Sequence, residues 1–330
     1  MKLSVLGAGG WGTAFARLLA NGGHDTTLWA RRPELAEAID RARENARYLP
    51  GVSLPRTRLV VTSDVVVALD ADAVFLAVPS FGMNELLHRI APVLTGSPTL
   101  VNLAKGLDRQ SRRTMSELIG FHIPDAEVFT LSGPSHAEEV GRDAPTAVVL
   151  AGKNMALGRQ LVDAIATPRF RIYLSEDIRG VELCSTVKNI IAVASGISDG
   201  LGYGDNSRGA LIARGLVEMV RFGRAFGVQD STFFGLSGLG DLVTTCTSRH
   251  SRNRLVGERL GRGESLESIL HGMVMVAEGV YATRVVLDMA QAHGIEMPIT
   301  ESVDRLLRGE TDALSLVDRI MTRAPKTEGF

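Results

Sequence analysis

Residues 1–32, MKLSVLGAGGWGTAFARLLANGGHDTTLWARR, decide the fold. Residues 2–6 form a short apolar strand that runs directly into Gly7-Ala8-Gly9-Gly10-Trp11-Gly12. In a strand–turn–helix of this kind the first glycine makes the tight turn and the second lets a pyrophosphate approach the backbone. The third lets the helix pack closely on the strand. The spacing predicts a helix from about Gly10 to Ala20, with its N-terminal N–H groups and positive dipole end aimed at that pyrophosphate. A bare GxGxxG is a weak signal; here a strand precedes it and a helix follows, which makes a dinucleotide-binding unit the reading. NAD-preferring folds place Asp or Glu at the end of the second strand for the ribose 2′-hydroxyl. This chain has Arg31-Arg32 there, ahead of Pro33. Two guanidinium groups suit a 2′-phosphate by charge and bidentate geometry. The alternative is a pair of solvated loop residues before a helix starting at Pro33; the missing ribose carboxylate favours the phosphate.

The 330 residues suffice for two domains and a sizeable core. A net charge of -1 gives no polycationic footprint for nucleic acid. No uninterrupted apolar run reaches the roughly 18 residues of a bilayer span, and the glycine-broken N-terminus lacks a signal-peptide cleavage pattern. Cys184 and Cys246 are the only cysteines, with no CxxC or Cys/His cluster, which fits a reducing cytoplasm and gives no zinc site. His136-Ala137-Glu138 is half of a zinc deaminase signature without its PCxxC partner, so no metal is expected. Of the 36 basic residues only Lys2, Lys105, Lys153, Lys188 and Lys326 are lysines. Lysine can give up its proton and arginine cannot. Lysines inside apolar or glycine-bounded motifs are therefore of interest, and Lys105 and Lys188 qualify.

Strand-like runs at 25–30, 58–62, 73–78, 99–103, 128–132, 146–151 and 170–174 alternate with helix-length stretches at 33–43, 82–93 and 109–119. Such alternation predicts an α/β fold, a mostly parallel, doubly wound Rossmann-type sheet with ligand-binding loops at the carboxyl ends of its strands. From 178 on the pattern is helical, at about 178–200, 206–226, 251–262, 278–293, 298–308 and 312–321. The expected division is a cofactor-binding domain over 1–177 and an all-helical substrate-binding and catalytic domain over 178–330.

Lys188-Asn189 is embedded in an apolar helix, and burial there would lower the lysine pKa and make it a proton donor or acceptor. The alternative is a lysine that extends its head to solvent; the scarcity of lysine favours function. Gly238-Leu-Gly240-Asp241-Leu-Val-Thr244-Thr245-Cys246 brings a carboxylate and two hydroxyls into a glycine-bracketed stretch, although Asp241 could serve as an N-cap. Ser251-Arg252-Asn253-Arg254 before a helix makes a candidate phosphate cradle of hydroxyl, guanidinium and helix-start N–H groups. The two cysteines suit small core positions better than nucleophiles.

The chain resembles the bacterial NAD(P)-dependent glycerol-3-phosphate dehydrogenases over nearly its whole length. The matching motifs are GAGGWGTA at 7–14, NLAKGL at 102–107, SGPSHAEEV at 132–140, ELCSTVKNIIAVASG at 182–196, GLGDLVTTC at 238–246, SRN at 251–253 and VAEG at 276–279. The resemblance implies a Rossmann domain followed by a helical domain similar to that of 6-phosphogluconate dehydrogenase. It implies reversible NAD(P)H-dependent reduction of dihydroxyacetone phosphate to sn-glycerol 3-phosphate, which supplies glycerophospholipid synthesis. Lys188 would take the proton of the C2 hydroxyl, with Lys105 and Asp241 holding it in place. Substrate contacts would come from Lys105, Gly133, Ser135, Lys188, Asp241, Thr245, Ser251, Arg252 and Asn253. NADP(H) or NAD(H) contacts would come from Gly7, Gly9, Gly10, Trp11, Gly12, Arg31, Arg32, Tyr48, Lys105, Ala137, Arg252, Val276 and Glu278. Gly10 stands where some relatives carry Ser. A homodimer is the candidate assembly. Two rival readings are a hydroxy-acid dehydrogenase on the same scaffold, which would need a carboxylate clamp in place of the Ser-Arg-Asn cradle, and a non-catalytic cofactor sensor indifferent to loss of Lys188.

Overall fold

The computed structural model describes residues 1–322, and Lys326 lies outside them. The chain divides into two compact units, Met1–Ile178 and the residues from Arg179 on.

The first unit begins with β1 (Lys2–Leu6), α1 (Gly10–Asn21), β2 (Asp25–Trp29) and α2 (Pro33–Ala42), followed by a small hairpin of β3 (Glu44–Asn45) and β4 (Leu49–Ser53). It continues through β5 (Leu59–Thr62), α3 (Val65–Leu69), β6 (Ala73–Leu76), α4 (Ser80–Ile90), β7 (Thr99–Asn102) and α5 (Met115–His122). It closes with β8 (Glu127–Ser132), α6 (Ala137–Val140), β9 (Thr146–Gly152), α7 (Met155–Ile165) and β10 (Phe170–Ser175). Eight strands make one sheet in the order β10-β9-β8-β7-β6-β1-β2-β5, parallel throughout except where β9 runs antiparallel to β8. From β1 the chain builds outward to β2 and β5, then crosses to β6 on the other side of β1. The switch point of the sheet therefore falls at β1, where loops at the carboxyl ends diverge and ligands bind.

Successive residues of each strand face opposite sides of the sheet, and both sides are covered. Leu3, Val5, Phe75, Val101 and Phe129 join one core with Phe15 and Leu19 of α1. Leu6, Trp29, Val74, Leu76 and Leu100 join the other with Met83 and Leu87 of α4 and Met115 of α5. This is why the strands read as continuous apolar runs with no alternation.

The helix expected over 109–119 starts later, at Met115. Arg112 has a φ of 58°, which no helix continues through, and Thr114 and Glu117 form a reciprocal capping box that sets the start. The hairpin β3–β4 was not anticipated; Pro50-Gly51 within it reads as a turn.

The second unit is helical: α8 (Ile178–Gly200), α9 (Asp205–Ala225), α10 (Asp230–Phe234), a π-helical turn at Leu236–Gly240 and α11 (Asp241–Thr247). Then come α12 (Arg252–Gly261), α13 (Leu266–His271), α14 (Glu278–Ala292), α15 (Pro298–Leu307) and α16 (Ala313–Met321). By length and composition alone α8 is long and apolar enough to cross a membrane, although Glu182, Lys188 and Asn189 interrupt its apolar run. The apolar stretch is wholly buried in the fold, as befits a central core helix. At Gly196 of α8 a Cβ would overlap the carbonyl oxygen of Arg254, and at Gly257 of α12 one would overlap that of Val193. The two helices thus cross backbone against backbone, which locks the helix bearing Lys188 to the helix that starts with Arg252.

Candidate active site

The chain leaves β1 and turns at Gly7, where φ is 125° and a Cβ would lie 2.7 Å from the carbonyl oxygen of Ala77. A Cβ at Gly12 would overlap the carbonyl oxygen of Gly7. Gly9 differs: nothing lies within 4 Å of its Cβ position, so the space before the loop is open. Gly10, Trp11 and Gly12 form the first turn of α1, with no acidic residue and no side-chain cap. Their N–H groups lack helical partners and carry the positive end of the helix dipole. An open, electropositive cradle without a competing carboxylate fits the pyrophosphate of a dinucleotide.

Asn45, buried in the hairpin, donates to Ala8 O at 3.0 Å and Thr13 Oγ1 at 2.8 Å and accepts from Tyr48 N at 3.3 Å. It ties the Tyr48 turn to the glycine loop. The Tyr48 hydroxyl accepts from Arg32 Nη2 at 3.1 Å, and the Arg47 guanidinium stands 5.4 Å from the Tyr48 ring. Arg31 pairs with Glu85 of α4 at 3.4 Å. Both arginines follow the carboxyl end of β2 and are exposed.

At the end of β7, the Asn102 side chain accepts from Ala104 N at 2.8 Å and donates to Ala104 O at 3.1 Å, shaping the turn that presents Lys105. Lys105 Nζ donates to Gly133 O at 2.9 Å, and Ser135 Oγ donates to the same carbonyl at 2.9 Å. The structure thereby gathers Lys105, Gly133 and Ser135 across the ends of β7 and β8. Ala137 follows as the first residue of α6.

In the second unit Lys188 does not extend to solvent. Its side chain is 4% exposed and donates to Asp241 Oδ1 at 3.1 Å and Thr245 Oγ1 at 2.6 Å. Thr245 in turn donates to Asp241 O at 2.6 Å. Asp241 is the first residue of α11 and does not cap it; its carboxylate balances the ammonium charge within the core. Asp241 and Thr245 lie four residues apart in α11 and so share one face of that helix.

The neighbouring Asn189 anchors the second group. Asn253 Nδ2 donates to Asn189 Oδ1 at 2.8 Å, while Asn253 Oδ1 accepts from Gly279 N at 2.9 Å. One buried amide thus joins α8, α12 and the start of α14, whose first residue is Glu278 and which Val276 precedes by two. Ser251 caps α12, its Oγ accepting from Arg254 N at 3.2 Å, so its hydroxyl hydrogen points elsewhere. Arg254 donates to Ser248 O at 3.1 Å and to Asp199 Oδ2 at 2.8 Å, which pins the 248–251 loop to the end of α8. Arg252 is exposed in the first turn of α12, which itself contains no acidic residue. Cys246, buried beneath, has its thiol pushed up to about 12 by burial, so it is no nucleophile. Among the described residues no three His, Cys, Asp or Glu side chains converge to hold a metal ion.

Neither Asn45 nor Glu85 lies in a sequence motif, whereas Asn189 and Arg254 adjoin the Lys188 and Ser251-Arg252-Asn253 positions. Asn189 carried a signal, as a polar residue beside Lys188 in an apolar helix. Asn45 and Glu85 act across 32 and 54 residues of sequence and left none.

Residues 2–158 match the family model described as the NAD-dependent glycerol-3-phosphate dehydrogenase N-terminus, and residues 177–318 match the C-terminus of the same family. A glycerol-3-phosphate dehydrogenase [NAD(P)+] of Chlorobium limicola is 46% identical over 334 residues, covering 100% of each chain. One of Pelotomaculum thermopropionicum is 46% identical, covering 99% of this chain and 95% of its own. The crystal structure of glycerol-3-phosphate dehydrogenase from Coxiella burnetii superposes with a TM-score of 0.94 at 39% identity, covering 98% of this chain and 99% of that one.

Proposed function

This chain belongs to the NAD-dependent glycerol-3-phosphate dehydrogenase family, and we infer that it catalyses the reversible NAD(P)H-dependent reduction of dihydroxyacetone phosphate to sn-glycerol 3-phosphate. The observation that carries the reading is the frame around α8. Lys188, held by Asp241 and Thr245, adjoins Asn189, which is bonded to Asn253 of the Ser251-Arg252-Asn253 segment. Two helices packed backbone against backbone, α8 and α12, thus carry a proton-transfer group and a phosphate cradle. A hydroxy-acid dehydrogenase has no use for the second.

The bound nicotinamide supplies or accepts the hydride at C2. Lys188 Nζ gives a proton to the C2 oxygen in reduction and takes it in oxidation, a transfer worth about 10²–10⁴ in rate. Asp241 and Thr245 orient the amine, and the carboxylate holds the charged form between turnovers. Arg252 neutralises the substrate phosphate, with the Ser251 hydroxyl and the N–H groups at the start of α12. Lys105, Gly133 and Ser135 contribute further substrate contacts, and Lys105 also reaches the cofactor. Cofactor contacts come from Gly7, Gly9, Gly10, Trp11, Gly12, Arg31, Arg32, Tyr48, Ala137, Arg252, Val276 and Glu278. Residues 1–177 are the cofactor domain and 178–330 the catalytic one. The product feeds glycerophospholipid synthesis in the cytoplasm, where the buried thiols of Cys184 and Cys246 stay reduced. A homodimer is the assembly this reading carries, to be measured by light scattering.

Oxidation of NADPH and NADH by the purified chain should proceed with dihydroxyacetone phosphate and fail with pyruvate or succinic semialdehyde. Turnover of either control at a comparable rate would replace this reading with a hydroxy-acid or aldehyde reductase.

A further inference from the structure

The two arginines after β2 are held in different ways. Arg32 rests on a neutral phenol, Tyr48, which leaves its charge whole. Arg31 rests on a carboxylate, Glu85, which does not. Glu85 belongs to α4, the helix after β6, and reaches across the switch point of the sheet to a residue after β2. Both side chains of the pair are well exposed, at 66% and 74%, so the pair is easily opened by a competing anion.

We propose that Glu85 is a specificity-determining residue: it competes with the cofactor's 2′-phosphate for Arg31 and so keeps the pocket open to both NADPH and NADH. The inference rests on the reading of Arg31 and Arg32 as the 2′-phosphate grip. A 2′-phosphate carries nearly two negative charges and three acceptor oxygens. To engage Arg31 it must displace the Glu85 carboxylate and then sit near it, like charge beside like charge. A 2′-hydroxyl makes no such demand. With NADH the Arg31–Glu85 pair stays intact, and the adenosine end meets one balanced guanidinium and one on a phenol. The carboxylate that NAD-preferring folds place on the strand end is here supplied from α4, and it acts on the arginine.

The test is isothermal titration of NADPH, NADH, adenosine 2′,5′-bisphosphate and adenosine 5′-monophosphate into wild type, Glu85→Gln, Arg31→Ala, and the double variant at low ionic strength. Glu85→Gln should tighten both 2′-phosphate ligands about 3- to 10-fold, from the lost competition and repulsion, and leave the other two within twofold. The gain should shrink as salt is added, and should fall below twofold in the Arg31→Ala background. A change under twofold for both 2′-phosphate ligands in Glu85→Gln, or an undiminished gain without Arg31, would overturn the proposal. If Arg31→Ala itself weakened the 2′-phosphate ligands no more than their counterparts, the underlying reading of the arginines would fall, and the proposal with it. If Arg31→Ala behaved as expected and Glu85→Gln did not, only the proposal would fall.

Discussion

Replacing Asp241 by Asn should move the acid limb of the oxidation profile to lower pH by about one unit. Lys188 Nζ lies 3.1 Å from Asp241 Oδ1, with both side chains almost wholly buried. Asn keeps an acceptor in the same place, and Thr245 keeps its 2.6 Å bond to the amine. The loss is therefore only the excess of a charge-assisted hydrogen bond over a neutral one, about 1–1.5 kcal/mol. That corresponds to about one pH unit. The sign follows from which form the carboxylate favours. Asp241 stabilises the ammonium, so without it the proton leaves at lower pH. Oxidation of sn-glycerol 3-phosphate needs the amine unprotonated, so kcat/KM should reach its plateau earlier as pH rises. The plateau itself should drop, because the amine is less firmly oriented. The assay is kcat/KM for oxidation across pH, with a thermal melt to establish that the variant folds. An acid limb that stayed in place or moved to higher pH in a folded variant would refute this account of the pair.

Arg31→Ala with Arg32→Ala should lower kcat/KM for NADPH about 10- to 150-fold more than for NADH, the worth of lost charge-assisted bonds to the 2′-phosphate; equal losses would make the pair structural. Arg252→Ala should raise KM for dihydroxyacetone phosphate by a similar factor while leaving the poor substrate dihydroxyacetone almost unaffected, and a KM within twofold of wild type would misplace the cradle. Glu218 of α9 is buried and accepts from Ile299 N, Thr300 N and Thr300 Oγ1 at 2.8, 2.8 and 2.6 Å. Burial pushes its carboxyl up against the pull of those donors and Arg221. A raised value means its stabilisation is full below the ordinary glutamate value and is lost as pH rises through the raised one. The Tm of wild type should fall across that window relative to Glu218→Gln, and parallel curves would contradict the shift.

The glycine loop was legible because each glycine answers a local geometric demand within one strand–turn–helix. The alternation of strands and helices was legible because a sheet covered on both sides needs apolar runs of strand length, and 73–78 or 99–103 supply them. Most C-terminal helices were read to within a residue or two, α8 included, since its length survives even though burial on all sides removes any polar face. Three things were hidden. The hairpin around Tyr48 is short and carries Pro50-Gly51, so it reads as loop. Gly235, Gly238 and Gly240 mask the π-helical turn and α11, whose order comes from packing: at Gly238 a Cβ would overlap the backbone of Phe233. The partnerships that make the site, Lys188 with Asp241, Asn253 with Asn189 and Arg31 with Glu85, join residues 53, 64 and 54 apart and leave no periodic trace. Motif resemblance named Asp241 as a holder of Lys188, but gave no partner for Asn253 or Arg31 within the protein. Asn253 was expected on the substrate phosphate; both ends of its amide also tie three helices together.

The central claim is that the Lys188 amine moves the proton at C2, and Lys188→Arg tests it most directly. Arginine keeps the positive charge and a donor for Asp241, but a guanidinium does not give up its proton in a protein, so it serves neither as acid in reduction nor, once charged, as base in oxidation. The measurement is kcat for dihydroxyacetone phosphate reduction, with the NADPH Kd determined by titration on the same sample. The account predicts a kcat at least about 100-fold below wild type with NADPH binding unchanged. A folded Lys188→Arg variant with near wild-type kcat would contradict it.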